Sequence, residues 1–375
     1  MNEKKGVAIN PYSNIHYCDH LAPICKIMGI PLLFLDPEEM DTISRFYPDL
    51  HAEYVPFQEF NPEMLITNFD VVFLSDLWDR TVFREKFAPL EKKYGKTIRH
   101  VHCPHGFSDK SFYLRKCAQE DITLLYGQNM LDQLKDEHVF NDLHSYVITG
   151  NYRYTYYQMH QAFYENLVQE EVLSRFIQEG PIVLYAPTWV DFEQSTTFYE
   201  STGTLIDALP KDWNMIIKMH PRLEHDDPAM YYQILGKYDS KPNVIFLKEF
   251  TPVYPLLAHT DVYIGDMSSV GYDFLTFNRP MYFLNKFKRD PKKDRRLYLT
   301  RCGITVEPEP EQLSQIYQMI KANLDQDKEH NQDQKQFGKI RKEVYQYTFG
   351  EEKSFLDIKR EIVQAYSSPE KMQLR

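Results

Sequence analysis

No stretch of the 375-residue chain approaches the roughly 20 consecutive apolar residues that a membrane-spanning helix needs. The opening Met1-Asn2-Glu3-Lys4-Lys5 leads into a short apolar strand and lacks a signal-peptide core, so the expected location is the cytoplasm. Cysteine is scarce. Cys18, Cys25, Cys103, Cys117 and Cys302 are odd in number, scattered and without a C-x-x-C pair, which argues against a disulfide framework and a structural zinc site and leaves buried thiols. An excess of positive charge is also missing: the formal charge of −11 disfavours a general nucleic-acid binder, which needs a basic face to track phosphates. Low-complexity tracts are absent, and 43% hydrophobic, 14% aromatic and 26% charged residues describe a folded protein.

What is present is enough chain for two cores, because single cores stop growing at roughly 250 residues. Short apolar, β-branched runs closed by turn residues occur at GVAIN (6–10), PLLFLD (31–36), DVVFLSD (70–76), TIRHVHCP (97–104), ITLLYG (122–127) and YVITGN (146–151). Helix-length segments separate most of them, which predicts a doubly wound parallel sheet. An aromatic and acidic stretch from Tyr152 to Phe176 has helical character, with Gly180 as its stop signal. The rhythm then restarts with PIVLYAPTW (181–189), NMIIKMHP (214–221), NVIFLKEF (243–250), DVYIGDMSS (261–269) and PMYFLN (280–285). The expected fold is therefore α/β: a Rossmann-like domain over 1–151, a connecting helix over 152–180, a second Rossmann-like domain over 181–310, and helices over 311–375 packing across both. Two such domains facing each other would make a cleft at the carboxyl ends of their sheets.

Four motifs follow strands. DVYIG runs into Asp266-Met267-Ser268-Ser269, where a helix N-terminus and two hydroxyls suit a phosphate, or where serine simply caps the helix. Asp273, one turn further among apolar residues, needs a partner or an outlet to the cleft. NMIIK ends in Lys218-Met219-His220-Pro221, which puts Lys218 and His220 on one face, as phosphate-neutralising groups or as an exposed lysine and a satisfied histidine. TIRHVHC leads into Pro104-His105-Gly106, and a histidine at such a tip can take a proton from an attacking hydroxyl. His100-Val101-His102 has the H-x-H spacing of some zinc sites but no clear further ligands. PIVLYAP ends in Thr188-Trp189, whose hydroxyl would look into the cleft or whose indole would pack the strand end. Residues 286–301, KFKRDPKKDRRLYLTR, hold eight Lys or Arg against two Asp, as a solvated loop or an anion site.

Together HG…K, YAPTW, KMHP and D-x-SS-x-x-x-D-x-x-x-x-x-RP, over roughly residues 97 to 290, resemble the CDP-glycerol glycerophosphotransferase family of teichoic acid and capsule polymer synthesis. The resemblance implies a GT-B fold without a required metal or cofactor. It implies transfer of glycerol phosphate, or a related alditol phosphate, from CDP-glycerol to a hydroxyl of a lipid-linked or glycan acceptor at the inner membrane face, with release of CMP. In this sequence the position of the proposed base is His105, and His220 assists at the donor phosphates. Ser268 and Ser269 would hold the diphosphate; Gly106, Lys110, Thr188, Lys218, Asp266, Asp273 and Arg279 complete the donor set. Residues 286–301 are the segment that could meet anionic lipid. The chain departs from the family in Phe107-Ser108-Asp109, where a Thr-Pro or similar small pair is frequent, and in Met267, where an aromatic is frequent. A GT-B glycosyltransferase or UDP-sugar epimerase shares the expected fold and is the alternative.

Overall fold

The computed structural model describes residues 5–11, 14–77, 80–324 and 331–367. The chain divides into two compact units. Unit 1 comprises Met1–Phe107, Ser111–His160 and Tyr347–Arg375, and unit 2 comprises Ser108–Lys110 and Gln161–Gln346.

Unit 1 is built on seven strands: β1 (Gly6–Ile9), β2 (Leu32–Phe34), β3 (Ala52–Tyr54), β4 (Val71–Leu74), β5 (Arg99–His102), β6 (Ile122–Leu125) and β7 (Tyr146–Ile148). All pair in parallel, in the order β3-β2-β1-β4-β5-β6-β7. Unit 2 repeats the plan with β8 (Ile182–Ala186), β9 (Asn214–Lys218), β10 (Val244–Leu247), β11 (Val262–Gly265), β12 (Met281–Leu284) and β13 (Ile304–Val306), in the order β10-β9-β8-β11-β12-β13. In each sheet the winding reverses beside the first strand, so the strand order is that of Rossmann-like domains.

Burial on both faces explains the continuous apolar runs: every residue of β4, β6, β10, β11 and β12 is buried. Alternate side chains then sort by face. In unit 2, Val183 and Tyr185, Met215 and Ile217, Val262 and Ile264, and Tyr282 and Leu284 share one core with Phe198, Leu205, Leu313 and Ile316 from the covering helices. Three helices begin at Asp36-Pro37, Asn61-Pro62 and Asp227-Pro228, where the Asx side chain accepts the amide of Glu38, Met64 or Met230 and proline occupies the first turn. No helix among the described residues is long and apolar enough to cross a membrane.

Eleven expected strands lie where the sequence puts them, and the two that went unread, β3 and β13, are three-residue edge strands. The boundary between units falls between His160 and Gln161, within the stretch read as a connecting helix. That stretch forms two helices, Tyr152–Met159 in unit 1 and Gln161–Glu171 in unit 2. Gly180 does not stop the second. It lies beyond it, where a β-carbon would come within 2.0 Å of the Asp212 carbonyl oxygen, so the residue is fixed by close backbone approach. The tail is likewise divided. Helix Pro310–Leu324 packs in unit 2, with the Tyr317 hydroxyl donating to the Leu205 carbonyl at 2.8 Å, whereas helix Phe355–Ser367 belongs to unit 1.

Candidate functional site

The chemistry-bearing residues fall into two sets, one at the carboxyl ends of each sheet. In unit 1, β5 runs through Cys103-Pro104 into His105, and Gly106 then turns the chain at φ +112°, a left-handed value that favours glycine. The neighbouring strand β4 supplies the partner: His105 Nδ1 lies 2.9 Å from the Ser75 carbonyl oxygen. A carbonyl only accepts, so Nδ1 carries the proton and Nε2 presents a lone pair. The ring packs against Tyr17, 4.4 Å between centroids, and Tyr113 at 6.1 Å. Burial lowers its pKa below 6.5, opposed by the bond to Ser75, and the half-buried imidazole is therefore a neutral base at pH 7.

A second layer supports this loop. The Tyr126 hydroxyl donates to the Pro104 carbonyl at 3.0 Å, and His20 Nδ1 donates to that hydroxyl at 2.9 Å. Burial first, then the positive charge of Arg153, holds His20 well below the usual histidine range. Tyr17, Ser75 and Tyr113 were not singled out in the sequence, because nothing in local patterning shows which residues surround a histidine tip. His100 and His102 are buried strand residues: His100 meets the rings of Phe83 and Phe87 edge-on, and His102 lies near Cys117.

In unit 2 the winding reverses between β8 and β11, and one carboxylate bridges the gap. Asp266, just past β11, accepts the Thr188 amide at 2.9 Å and both the amide and hydroxyl of Thr197 at 3.0 Å. The Thr188 hydroxyl accepts from Lys110 Nζ at 2.7 Å, and Lys110 pairs with Asp191 at 2.8 Å. Asp191 in turn accepts the amides of Glu193 and Ser195. Lys110, Thr188 and Asp266 thus come together as one buried network in which each is a partner of the next. Burial pushes the Asp266 carboxyl up to about 6, against the pull of Lys110 and the donors.

Beside this network β9 ends in the half-buried Lys218, followed by His220, whose Nδ1 accepts the Arg222 amide at 3.2 Å. The neutral ring then carries its proton on Nε2, as a hydrogen-bond donor. The Trp189 ring lies 6.2 Å from that of His220, and the Arg222 guanidinium stacks on the indole at 4.1 Å. Neither Arg222 nor its indole partner stood out as a pair in the sequence, since they are brought together from two strand ends.

Ser268 and Ser269 precede a helix of one turn, Val270–Phe274. Ser268 Oγ accepts the Val270 amide at 3.4 Å, while Ser269 sits at the cap position with no side-chain capping bond. Asp273 is buried and accepts from the Tyr254 hydroxyl at 3.1 Å. Arg279 corrects the expectation that it joins this set. It precedes β12, hence lies at the amino ends of the sheet, and donates to the carbonyls of Ala258 and Thr260 ahead of β11. Its guanidinium fixes a turn on the far side from Asp266.

The sequence also concealed Asp109, which accepts from the Tyr272 hydroxyl at 2.6 Å, the Leu299 amide at 3.0 Å and Arg295 at 3.1 Å. Burial raises it to about 6. Arg295 belongs to the basic stretch 286–301, of which five other cations are also engaged: Lys286 with Glu200, Lys288 with Glu307 and Glu309, Arg289 and Arg296 with Glu193 and Asp294, and Lys293 with Asp290. Among the described residues no group of three or more His, Cys, Asp or Glu side chains is placed to hold a metal ion.

Residues 114–355 match the family model described as CDP-glycerol:poly(glycerophosphate) glycerophosphotransferase. The chain belongs to this glycerophosphotransferase family. The matched region contains Thr188, Lys218, His220, Asp266, Ser268 and Ser269, while His105 and Lys110 precede it. The teichoic acid glycerol-phosphate primase of Bacillus subtilis (strain 168) is 31% identical over 110 residues, 28% of this chain and 26% of that protein. The teichoic acid poly(ribitol-phosphate) polymerase of Bacillus spizizenii is 24% identical over 186 residues, 48% of this chain and 29% of that protein. The matches thus span under a third of these relatives. The family's fold is matched more fully: the wall teichoic acid polymerase TagF superposes with a TM-score of 0.65 at 14% identity, covering 97% of this chain and 89% of that one. A UDP-GlcNAc 2-epimerase from Neisseria meningitidis gives 0.55 at 11% identity, covering 96% and 98%. Both show a shared GT-B architecture.

Proposed function

We propose that the protein transfers glycerol phosphate, or a related alditol phosphate, from CDP-glycerol to a hydroxyl of a lipid-linked or glycan acceptor, releasing CMP, in teichoic acid or capsule-type polymer synthesis. The family match over 114–355 carries this reading. The residue geometry fits its chemistry. Phosphoryl transfer needs alignment and charge stabilisation more than covalent help. In the proposed step the acceptor oxygen attacks the phosphorus that bears glycerol, His105 Nε2 takes the hydroxyl proton, and the bond from that phosphorus to the CMP oxygen breaks. Lys218 and the Nε2–H of His220 meet the negative charge that develops on CMP, and Ser268 and Ser269 add hydroxyl donors. No metal enters the step. Asp266, with three hydrogen bonds from Thr188 and Thr197, serves as an internal brace in this reading.

The test is mass spectrometry of products formed from CDP-glycerol with synthetic lipid acceptors, in the presence of EDTA, alongside titration with CMP and UMP. Glycerol phosphate added to an acceptor and tighter binding of CMP are expected. Transfer of a sugar from a UDP-sugar, with UMP preferred, would replace this reading with the glycosyltransferase alternative.

A further inference from the structure

Resting on that reading, we infer that Arg222, held against the Trp189 ring, binds a phosphate of the diphosphate donor and sets specificity for it. Three observations carry this. The Arg222 Cζ lies 4.1 Å from the centre of the Trp189 ring, a cation–π contact that holds the guanidinium beside the indole without using up its N–H donors. Its ion pair is a loose one, to Asp226 at 3.8 Å, and half of the side chain is exposed. Its neighbours in the same turn are groups of the kind that suit an anion: Lys218 at the end of β9 and His220, whose Nδ1 accepts the Arg222 amide at 3.2 Å.

The shelf is preformed. Asp226 accepts the Val190 amide at 3.0 Å while facing Arg222, so one carboxylate ties the loop after β8 to the turn after β9. Holding a long, flexible arginine in place before the ligand arrives removes part of the ordering cost of binding. A planar guanidinium also offers two parallel donors to two phosphate oxygens, which a lysine cannot reproduce. Of the carboxylates in this segment, Asp226 is the one facing Arg222, while Glu224 is paired with Lys248 and Asp227 accepts the Met230 amide.

The experiment is calorimetric titration of the full chain with CDP-glycerol, inorganic pyrophosphate and cytidine, for wild type, Arg222→Gln, Arg222→Lys and Trp189→Leu, with thermal melting as a control for folding. Arg222→Gln is expected to weaken CDP-glycerol and pyrophosphate by about 10- to 100-fold, the range for charge-assisted hydrogen bonds, with cytidine unchanged. Arg222→Lys recovers part of that loss, and Trp189→Leu shows a smaller loss of the same kind because the guanidinium is no longer held. Unchanged CDP-glycerol affinity in Arg222→Gln, or an equal loss of cytidine, overturns the assignment. If wild type binds pyrophosphate through Arg222 yet ignores CDP-glycerol, the phosphate shelf stands and the cytidine-donor reading falls. If wild type binds neither, both fall.

Discussion

At the scale of single residues, the proposed base gives the sharpest expectation. His105→Ala should reduce turnover by about 10²- to 10⁴-fold, the usual contribution of general base catalysis, with CDP-glycerol affinity preserved. Burial lowers the His105 pKa, so the neutral form of the base predominates at pH 7 and is lost as pH falls through a value below 6.5. The kcat/KM profile should therefore fall on the acid side with a midpoint under 6.5, and a midpoint above 7 would contradict the environment described for the ring. The strand-end positions of His105, Lys218 and His220 were legible in the sequence because each ends a recognisable strand or lies within three residues of one. Lys110, Thr188 and Asp266 were legible as polar residues at strand ends, but their mutual bonding was not, because it joins positions 78 residues apart. Arg279 was misplaced for a related reason. A motif records spacing along the chain, whereas the short helix after β11 returns the chain to the opposite end of the sheet before Arg279 is reached.

Among elements, the central strands and the edge strands β7 and β10 could be read, whereas the edge strands β3 and β13 could not. β4 and β11 announce themselves as unbroken apolar runs because both faces are covered. At two of the four edges, Ala52-Glu53-Tyr54 and Ile304-Thr305-Val306 are short and only partly covered, so their sequences carry little pattern. The helix Lys339–Phe349 shows a different kind of hidden order. Arg341 is fully buried, its guanidinium paired with Asp333 at 2.6 Å and its Nε donating at 2.7 Å to the side chain of Asn278, a residue in the left-handed region at φ +49°. Breaking such a pair leaves a buried charge. Arg341→Met should lower unfolding free energy by about 3–5 kcal/mol in urea titration. The double variant Arg341→Met with Asp333→Leu should be more stable than Arg341→Met alone. An additive loss would show that the pair is not an energetic unit.

For the whole molecule, the two units should respond to acid in opposite directions. In unit 1, burial lowers both His20 and His105, so the folded state resists protonation and the stability present above the free-histidine pKa is lost as pH falls below 6.5. In unit 2, burial raises Asp109 and Asp266 to about 6, so the folded state binds protons more readily than the unfolded chain; that contribution is present below 3.8 and lost as pH rises through 6. From pH 7 to pH 5, unit 1 should therefore weaken relative to unit 2. Hydrogen exchange read by mass spectrometry, corrected for the pH dependence of intrinsic exchange, should show protection falling first in β1, β4 and β5. Earlier loss in β8 and β11 would refute this ordering.

The division of the chain bears on its synthesis. Residues 108–110 leave the ribosome with unit 1 but find their partners, among them Asp191 and Tyr272, only after much of unit 2 has been made. Helix Phe355–Ser367, with Ile358 and Ile362 fully buried in unit 1, emerges after every strand of both sheets. The unit translated first is thus the last to be completed, and no single cut in the chain yields two intact halves. Nascent unit 1 must wait with an uncovered apolar surface until its final helix arrives, which makes the late stage of translation the interval in which this protein most needs shielding from other unfinished chains.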